Sequence, residues 1–302
     1  AVADAARPAA RARVVDPAFP ADPADPAAPA DAGPSASVSR PLDLRIDLGA
    51  AVREPTARPG GAGARADERV TLLARVLRTD TTARLRRVAA WGLAEYADQS
   101  VAFAALAETL RLDVDSSVRE MSAWALAGSD DDDAARAALA AALRDRTPRV
   151  RATAAWALGD AGDRRSVDAL VGALADSSVA VRTRAAWAVG RLEPREALGA
   201  LLAALRDPEP RVRHVVAWAL HTIEDASAAP ALQAALKGER EREVQFAYVR
   251  ALASLGDGSV DAIRGMLESS DAEARAVAVR ALAGGRAPGP WPWPWPEPRP
   301  TP

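Results

Sequence analysis

One short pattern recurs along most of this chain and limits its fold more than any other feature. It consists of Val-Arg, four further residues and Trp-Ala, and four copies are complete. A variant precedes them and two degenerate copies follow, so that equivalent positions lie 33, 32, 31, 31, 32 and 30 residues apart. This period is typical of stacked helical repeats, in which each unit contacts only its neighbours. The copies begin at Leu85, Val118, Val150, Val181, Val212, Val244 and Ala274.

Each unit divides into two helices joined by a short turn. In the fourth unit, apolar residues at helical spacing predict a first helix over 166–175 and a second over 179–192. The loop Gly159-Asp160-Ala161-Gly162-Asp163, with Gly near the helix C-terminus, is expected to end the second helix of the unit before it. The repeats extend over residues 66–285, so we expect an all-α solenoid of about seven units.

The two ends of the chain differ in composition from the repeats. Residues 1–65 are rich in Ala and Pro, which predicts a flexible, partly polyproline linker. Residues 42–48 alternate apolar and polar side chains, so this stretch is either a short docked strand or disordered. Residues 286–302 alternate Trp and Pro, which predicts an extended tail. That tail is a recognition segment, a segment that folds back on the repeats, or an end without a role.

Composition excludes several classes of site. The chain has no Cys and only two His, which excludes disulfides, cysteine metal sites and three-histidine sites. It lacks the sequence signatures of zinc peptidases, phosphate-binding loops and serine hydrolases. The formal net charge is −2, so we expect no nucleic acid partner. No run approaches the roughly 18 apolar residues of a transmembrane helix, so we expect no membrane-inserted segment, and we also expect no cofactor. The start at Ala1 fits either export with signal cleavage or a partial reading frame, and we rank an extracytoplasmic location first.

The pattern Asp-x-x-x-x-Val-Arg-x-x-Ala-x-x-Ala-Leu-Gly, read at Asp145–Gly159, resembles the bacterial HEAT-like repeats of phycobilisome lyases. The resemblance covers residues 66–285 and implies a right-handed α-solenoid with first helices on the convex side and second helices on the concave side. Such arrays occur in scaffolds, lyase subunits and binding domains. The resemblance therefore implies a fold more than an activity.

The repeated tryptophans lie away from the centre of the predicted core. On a helical wheel, Val150, Ala154, Ala157 and Leu158 define the buried face of a second helix, and Trp156 lies well outside it. We expect an aromatic ridge on or beside the concave surface. It acts either as a binding groove or as an inter-repeat spacer that covers small alanines. Its members are Trp91, Trp124, Trp156, Trp187 and Trp218.

A constant spacing within each unit predicts a ladder of ion pairs. The arginine after each Val lies near a helix N-terminus, where the helix dipole disfavours a cation. An acid lies five residues before the Val, so we expect pairing between neighbouring units. The predicted ladder, which the resemblance also implies, consists of Asp113, Arg119, Asp145, Arg151, Asp176, Arg182, Asp207 and Arg213, with further acids at Asp80 and Glu239.

Units five and six differ from the other units at several repeat positions. His214, Trp218 and His221 share one helix face, while unit six has Phe246 at the position of His214 and Arg250 at that of the Trp. This cluster is a candidate binding site or a drift towards a C-terminal cap. The two histidines are about 10 Å apart along the helix axis, too far to share one metal ion.

These observations predict a monomeric, non-catalytic scaffold that binds a protein or peptide on its concave face through the tryptophans and the cluster at units five and six. One alternative is a sensory or regulatory module of a longer, membrane-anchored, sensor-peptidase-like protein. Another alternative is a lyase-type subunit that binds a chromophore.

Overall fold

Fourteen α-helices make up most of the part of the chain that the structure describes. The computed structural model describes residues 61–96, 99–128, 132–255, 260–268, 270 and 272–282. The helices form seven consecutive pairs, here called units one to seven, and short 3-10 turns join several of them. The repeat period therefore corresponds to one helical pair, and the prediction of an α-solenoid is confirmed.

The first helices of the units are α1 (Gly61–Thr79), α3 (Ser100–Leu112), α5 (Asp133–Ala142), α7 (Val167–Ala173), α9 (Leu198–Ala204), α11 (Ala229–Gly238) and α13 (Val260–Leu267). The second helices are α2 (Ala83–Leu93), α4 (Ser116–Ala125), α6 (Pro148–Asp160), α8 (Val179–Leu192), α10 (Pro210–Ile223), α12 (Arg242–Ser254) and α14 (Ala272–Leu282).

Consecutive second helices pack closely along the whole array, most closely from α6 to α12. Among the first helices, extensive contacts join only α1, α3 and α5. Small side chains allow the close approach, because Ala154 and Ala157 are fully buried together with Val150 and Leu158. These four residues are the buried face that the helical wheel predicts, and one continuous core joins units one to six.

Local sequence signals set the helix ends. The Asp115 carboxylate accepts hydrogen bonds from two backbone N–H groups and caps α4, while Pro148 begins α6 without loss of a hydrogen bond. The prediction that the loop at 159–163 ends α6 is confirmed, although the helix includes Gly159 and its last residue is Asp160. The residue in the left-handed region is Gly162, with φ of 74°.

The boundary predicted at residue 66 is also displaced. α1 begins at Gly61, so residues 61–65 belong to a helix rather than to the linker. The last proline before this point is Pro59, and the Ala and Arg residues that follow are strong helix formers. Residues 1–60, the possible strand at 42–48 and the tail at 286–302 lie outside the described residues.

Arginine side chains bridge neighbouring units in a regular ladder. Each guanidinium donates through Nε and Nη2 to a carboxylate of the next unit, at 2.6–2.7 Å and 2.7–3.0 Å. Its Nη1 donates to the backbone carbonyl of the acid in its own unit, at 2.8–2.9 Å. The pairs are Arg86–Asp113, Arg119–Asp145, Arg151–Asp176, Arg182–Asp207 and Arg213–Glu239.

The carboxylates of the ladder are held from two sides. Asp176 Oδ1 also accepts the backbone N–H of Ser178 at 2.8 Å, and Asp145 accepts that of Thr147 in the same way. Burial raises the pKa of both carboxyls, but the guanidinium and backbone hydrogen bonds outweigh it, so that each pKa lies below its ordinary value. Gln245 replaces the arginine in unit six and donates to the Glu239 carbonyl, so the series of paired arginines stops there.

Removing one arginine of the ladder is expected to destabilise the fold strongly. Arg151→Ala leaves Asp176 largely buried without its cation, which costs about 2–4 kcal/mol of unfolding free energy. The control Arg164→Ala removes an exposed ion pair of 3.9 Å to Glu196 and costs less than about 0.5 kcal/mol. Urea denaturation measures both, and equal losses would contradict a structural role for the ladder.

Acid is expected to weaken the ladder. Because the folded-state pKa of Asp176 is lowered, its contribution is complete above the unfolded pKa of about 4 and is lost as pH falls through the folded pKa. The unfolding free energy should therefore fall below about pH 4. The decrease between pH 7 and pH 3 should be smaller in Arg151→Ala, and an identical decrease in both proteins would contradict this assignment.

Candidate binding face on the second helices

On one side of the second helices, the exposure of equivalent residues differs from unit to unit. We call this side the second-helix face. It comprises the tryptophan position of each second helix, the residues three, four and seven places before it, and those three and four places after it. These positions lie within about 60° of the tryptophan around the helix.

The tryptophans of units four and five pack on glycines of the unit before them. A Cβ atom added to Gly159 would lie 2.9 Å from Cζ3 of Trp187, and one added to Gly190 would lie 2.5 Å from Cζ3 of Trp218. Each indole therefore covers a position where only glycine fits. We call this position, three residues after the tryptophan position, the indole seat.

Exposure differs among the tryptophans and is greatest in unit one. Trp91 is 43% exposed, Trp156 is only 8% exposed, and Trp124, Trp187 and Trp218 are half-buried. The Arg191 guanidinium lies 5.9 Å from the centre of the Trp187 ring, within the range of a cation–π contact. Packing between units thus occupies much of the predicted ridge, and a partner has access to the edges of the half-buried indoles.

The packing of indole on seat changes between units five and six. The seat of unit five is His221 instead of a small residue, and the corresponding residue of unit six is Arg250 instead of a tryptophan. Burial lowers the pKa of the His221 imidazole, and the charge of Arg250, on the adjacent α12, lowers it further. A polar, titratable pair thus stands where the preceding units have an apolar contact.

Two further predicted residues extend this polar region. His214 lies on α10, and its pKa is lowered by burial and by Arg250 against the opposing effect of Glu243. Phe246 on α12 is half-buried, with the Arg242 guanidinium 5.3 Å from its ring centre. The structure thus places His214, His221 and Arg250 in one neighbourhood and leaves Phe246 and Trp218 on the same face.

Arginines outside the ladder form part of the face that the sequence reasoning missed. Burial lowers the pKa of Arg184 to about 10, with Glu120 opposing and Arg149 and Arg211 reinforcing the decrease. Arg184 Nη1 also lies 3.5 Å from the Thr153 hydroxyl, and Arg149 Nε lies 3.4 Å from Glu120. Arg149 and Arg211 both stand directly before the repeat Val, but units two, four and six have Ser117, Ala180 and Glu243 there and Arg184 lies at another position, so the periodic pattern gave only a weak signal for them.

A cleft of about 650 Å³ lies between units five and six, on the side of the turns that precede the second helices. Arg213, Glu239 and Tyr248 line it together with apolar residues such as Leu202. Tyr248 occupies a position that is Ala154 or Ala185 in earlier units; its hydroxyl donates to the Leu205 carbonyl at 3.4 Å, and burial raises its pKa to about 12. The replacement of a small residue by Tyr was the available sequence signal.

Metal-binding clusters and membrane-spanning helices are both absent from the part of the chain that the structure describes. No group of three or more His, Asp or Glu side chains there has an arrangement suited to a metal ion. Among those same residues, no helix combines the length and the apolar character needed to span a bilayer.

The indole seat makes a prediction that separates packing from simple helix propensity. Gly190→Ala forces a methyl group against the Trp218 ring and the Ala219 backbone, and should cost about 1–3 kcal/mol of unfolding free energy. Gly172→Ala, on the open side of α7, should be neutral or stabilise by about 0.5–1 kcal/mol. Thermal and urea unfolding measure both variants. A stabilising Gly190→Ala would contradict the seat.

Comparison with solved structures finds other repeat proteins. YibA from Escherichia coli has a TM-score of 0.54 and 19% identity, over 73% of this chain and 83% of that one. An engineered protein has 25% identity and a TM-score of 0.43, covering 71% and 95%. The complex of CpcE and CpcF of phycocyanin lyase from Nostoc sp. PCC7120 has 24% identity and a TM-score of 0.40, covering 78% and 80%.

Sequence comparison identifies the repeat type. No curated protein matches the chain significantly. The HEAT repeats family matches residues 103–189, 135–220 and 172–253, which together span half of the chain. The matched segment includes the ladder from Asp113 to Glu239 and the indole seats at Gly159 and Gly190. The chain therefore belongs to the HEAT repeat family.

Proposed function

We propose that this protein is a non-catalytic scaffold that binds a protein or peptide on its second-helix face, centred on units five and six. The single observation that carries the proposal is the change at the indole seat. There, His221 and Arg250 replace a small residue and a tryptophan, although neighbouring units use that pair for packing.

The residues around this pair support recognition of a partner. His214, Phe246 and Trp218 lie on the same face and are half-buried, so each combines a fixed position with an accessible edge. Aromatic and arginine side chains that protrude from a rigid surface are typical anchors at protein interfaces. The ladder supplies rigidity, because each of units one to five is tied to the next by two guanidinium–carboxylate hydrogen bonds.

Selection from a random peptide library on the intact chain tests this proposal whatever the identity of the partner. We expect enriched peptides to bind the unaltered chain, and to bind the variant His214→Ala, Phe246→Ala, Arg250→Ala at least about tenfold more weakly. The matched control, Glu196→Ala, Arg206→Ala, Lys237→Ala, alters exposed residues away from the second-helix face and should retain binding.

Both triple variants must first show the helical content and thermal unfolding of a folded array. If no peptide is enriched, or if both triple variants bind equally well, the second-helix face is not the binding site.

A further inference from the structure

The second-helix face carries an excess of positive charge, whereas the chain as a whole is slightly negative. The formal net charge of the protein is −2, and the carboxylates of the ladder neutralise the arginines of the ladder. In addition, α6, α8, α10 and α12 together place four arginines on the second-helix face besides Arg191, which lies beside Trp187. We call this set the arginine band; its members are Arg149, Arg184, Arg211 and Arg250.

The arginine band follows second helices that pack directly on one another, α6 on α8, α8 on α10 and α10 on α12. Arg149 and Arg211 both lower the pKa of Arg184, although one lies on the helix before it and the other on the helix after it. Arg250 continues the band, because its charge acts on His214 and His221 of the neighbouring α10. The band therefore extends over four consecutive second helices.

Carboxylates on the same face do not balance these cations. Among the described residues of α4 to α12, those on the second-helix face are Glu120, Asp160 and Glu243. Arg191 is a fifth arginine on that face, and the two histidines add positive charge when protonated. Glu120 pairs with Arg149 at 3.4 Å, and α4 to α12 still place five arginines against three carboxylates on this face, an excess of positive charge that favours an anionic ligand.

We propose that the arginine band binds an acidic, extended segment of a partner protein, whose carboxylates pair with successive arginines. The inference rests on the proposed function and names its partner class. Neighbouring second helices lie about 8–10 Å apart, and a segment in the polyproline II conformation advances about 3.1 Å per residue with three residues per turn, so that every third side chain faces the same way. An acidic residue at every third position therefore matches the spacing of the helices.

A designed peptide tests this inference directly. The probe is fluorescein-labelled (Glu-Pro-Ser)4, with (Lys-Pro-Ser)4, (Gln-Pro-Ser)4 and a labelled 20-base-pair DNA duplex as comparisons, and fluorescence anisotropy reports binding to the full chain. We expect the Glu peptide to bind more tightly than all three comparisons, and to bind less tightly as salt is raised. The double variant Arg149→Gln, Arg211→Gln should weaken binding of the Glu peptide at least about tenfold.

The matched control removes the same charge from another surface. Arg144→Gln, Arg206→Gln alters two exposed arginines outside the second-helix face and should bind the Glu peptide within about twofold of the unaltered chain. Equal weakening by both double variants, equal binding of the Lys or Gln peptide, or preferential binding of the DNA duplex would each overturn the inference.

The library selection distinguishes failure of the acidic-partner inference from failure of the proposed function. If library selection yields basic or uncharged peptides that are lost with the variant of His214, Phe246 and Arg250, the binding face stands and the acidic partner class is overturned. If selection yields no peptide, the proposed function itself fails.

Discussion

A guanidinium–carboxylate pair between neighbouring units is the interaction on which the rest of the array depends. Each ladder arginine fixes three groups at once: the backbone carbonyl of its own turn and both oxygens of the next unit's acid. This geometry sets the register of each helical pair against the next. Because the register is fixed by polar groups at the turns, the second helices can use alanine and glycine along their contacts and approach closely.

Close packing of the second helices determines which residues remain for binding. Where the seat is Gly159 or Gly190, the next indole closes over it and the surface has little freedom to change. Where the seat is His221, the contact becomes polar and the face acquires charge. The array thus has a rigid framework in its central units and a different, more polar surface in units five and six. The arginine band runs across both regions.

Periodicity explains how much of this arrangement is predictable from sequence. The helical pairs, the buried face at Val150 and Leu158 and the ladder acids follow from positions that recur in each unit, so every copy reinforces the others. Tyr248 does not recur, and the members of the arginine band come from three different repeat positions, so they lie on one face only when successive second helices stack. Gly159 illustrates the difference: glycine near a helix end commonly indicates a cap, but here its absent side chain admits Trp187 from the next unit.

The most direct measurement of where a partner binds is hydrogen–deuterium exchange of the intact chain, with and without a peptide selected on it. Binding on the second-helix face predicts slower exchange in α10 and α12, extending into α6 and α8, with the first helices α7, α9 and α11 largely unchanged. Protection confined to those first helices, or no protection at a saturating peptide concentration, would contradict a binding role for the second-helix face.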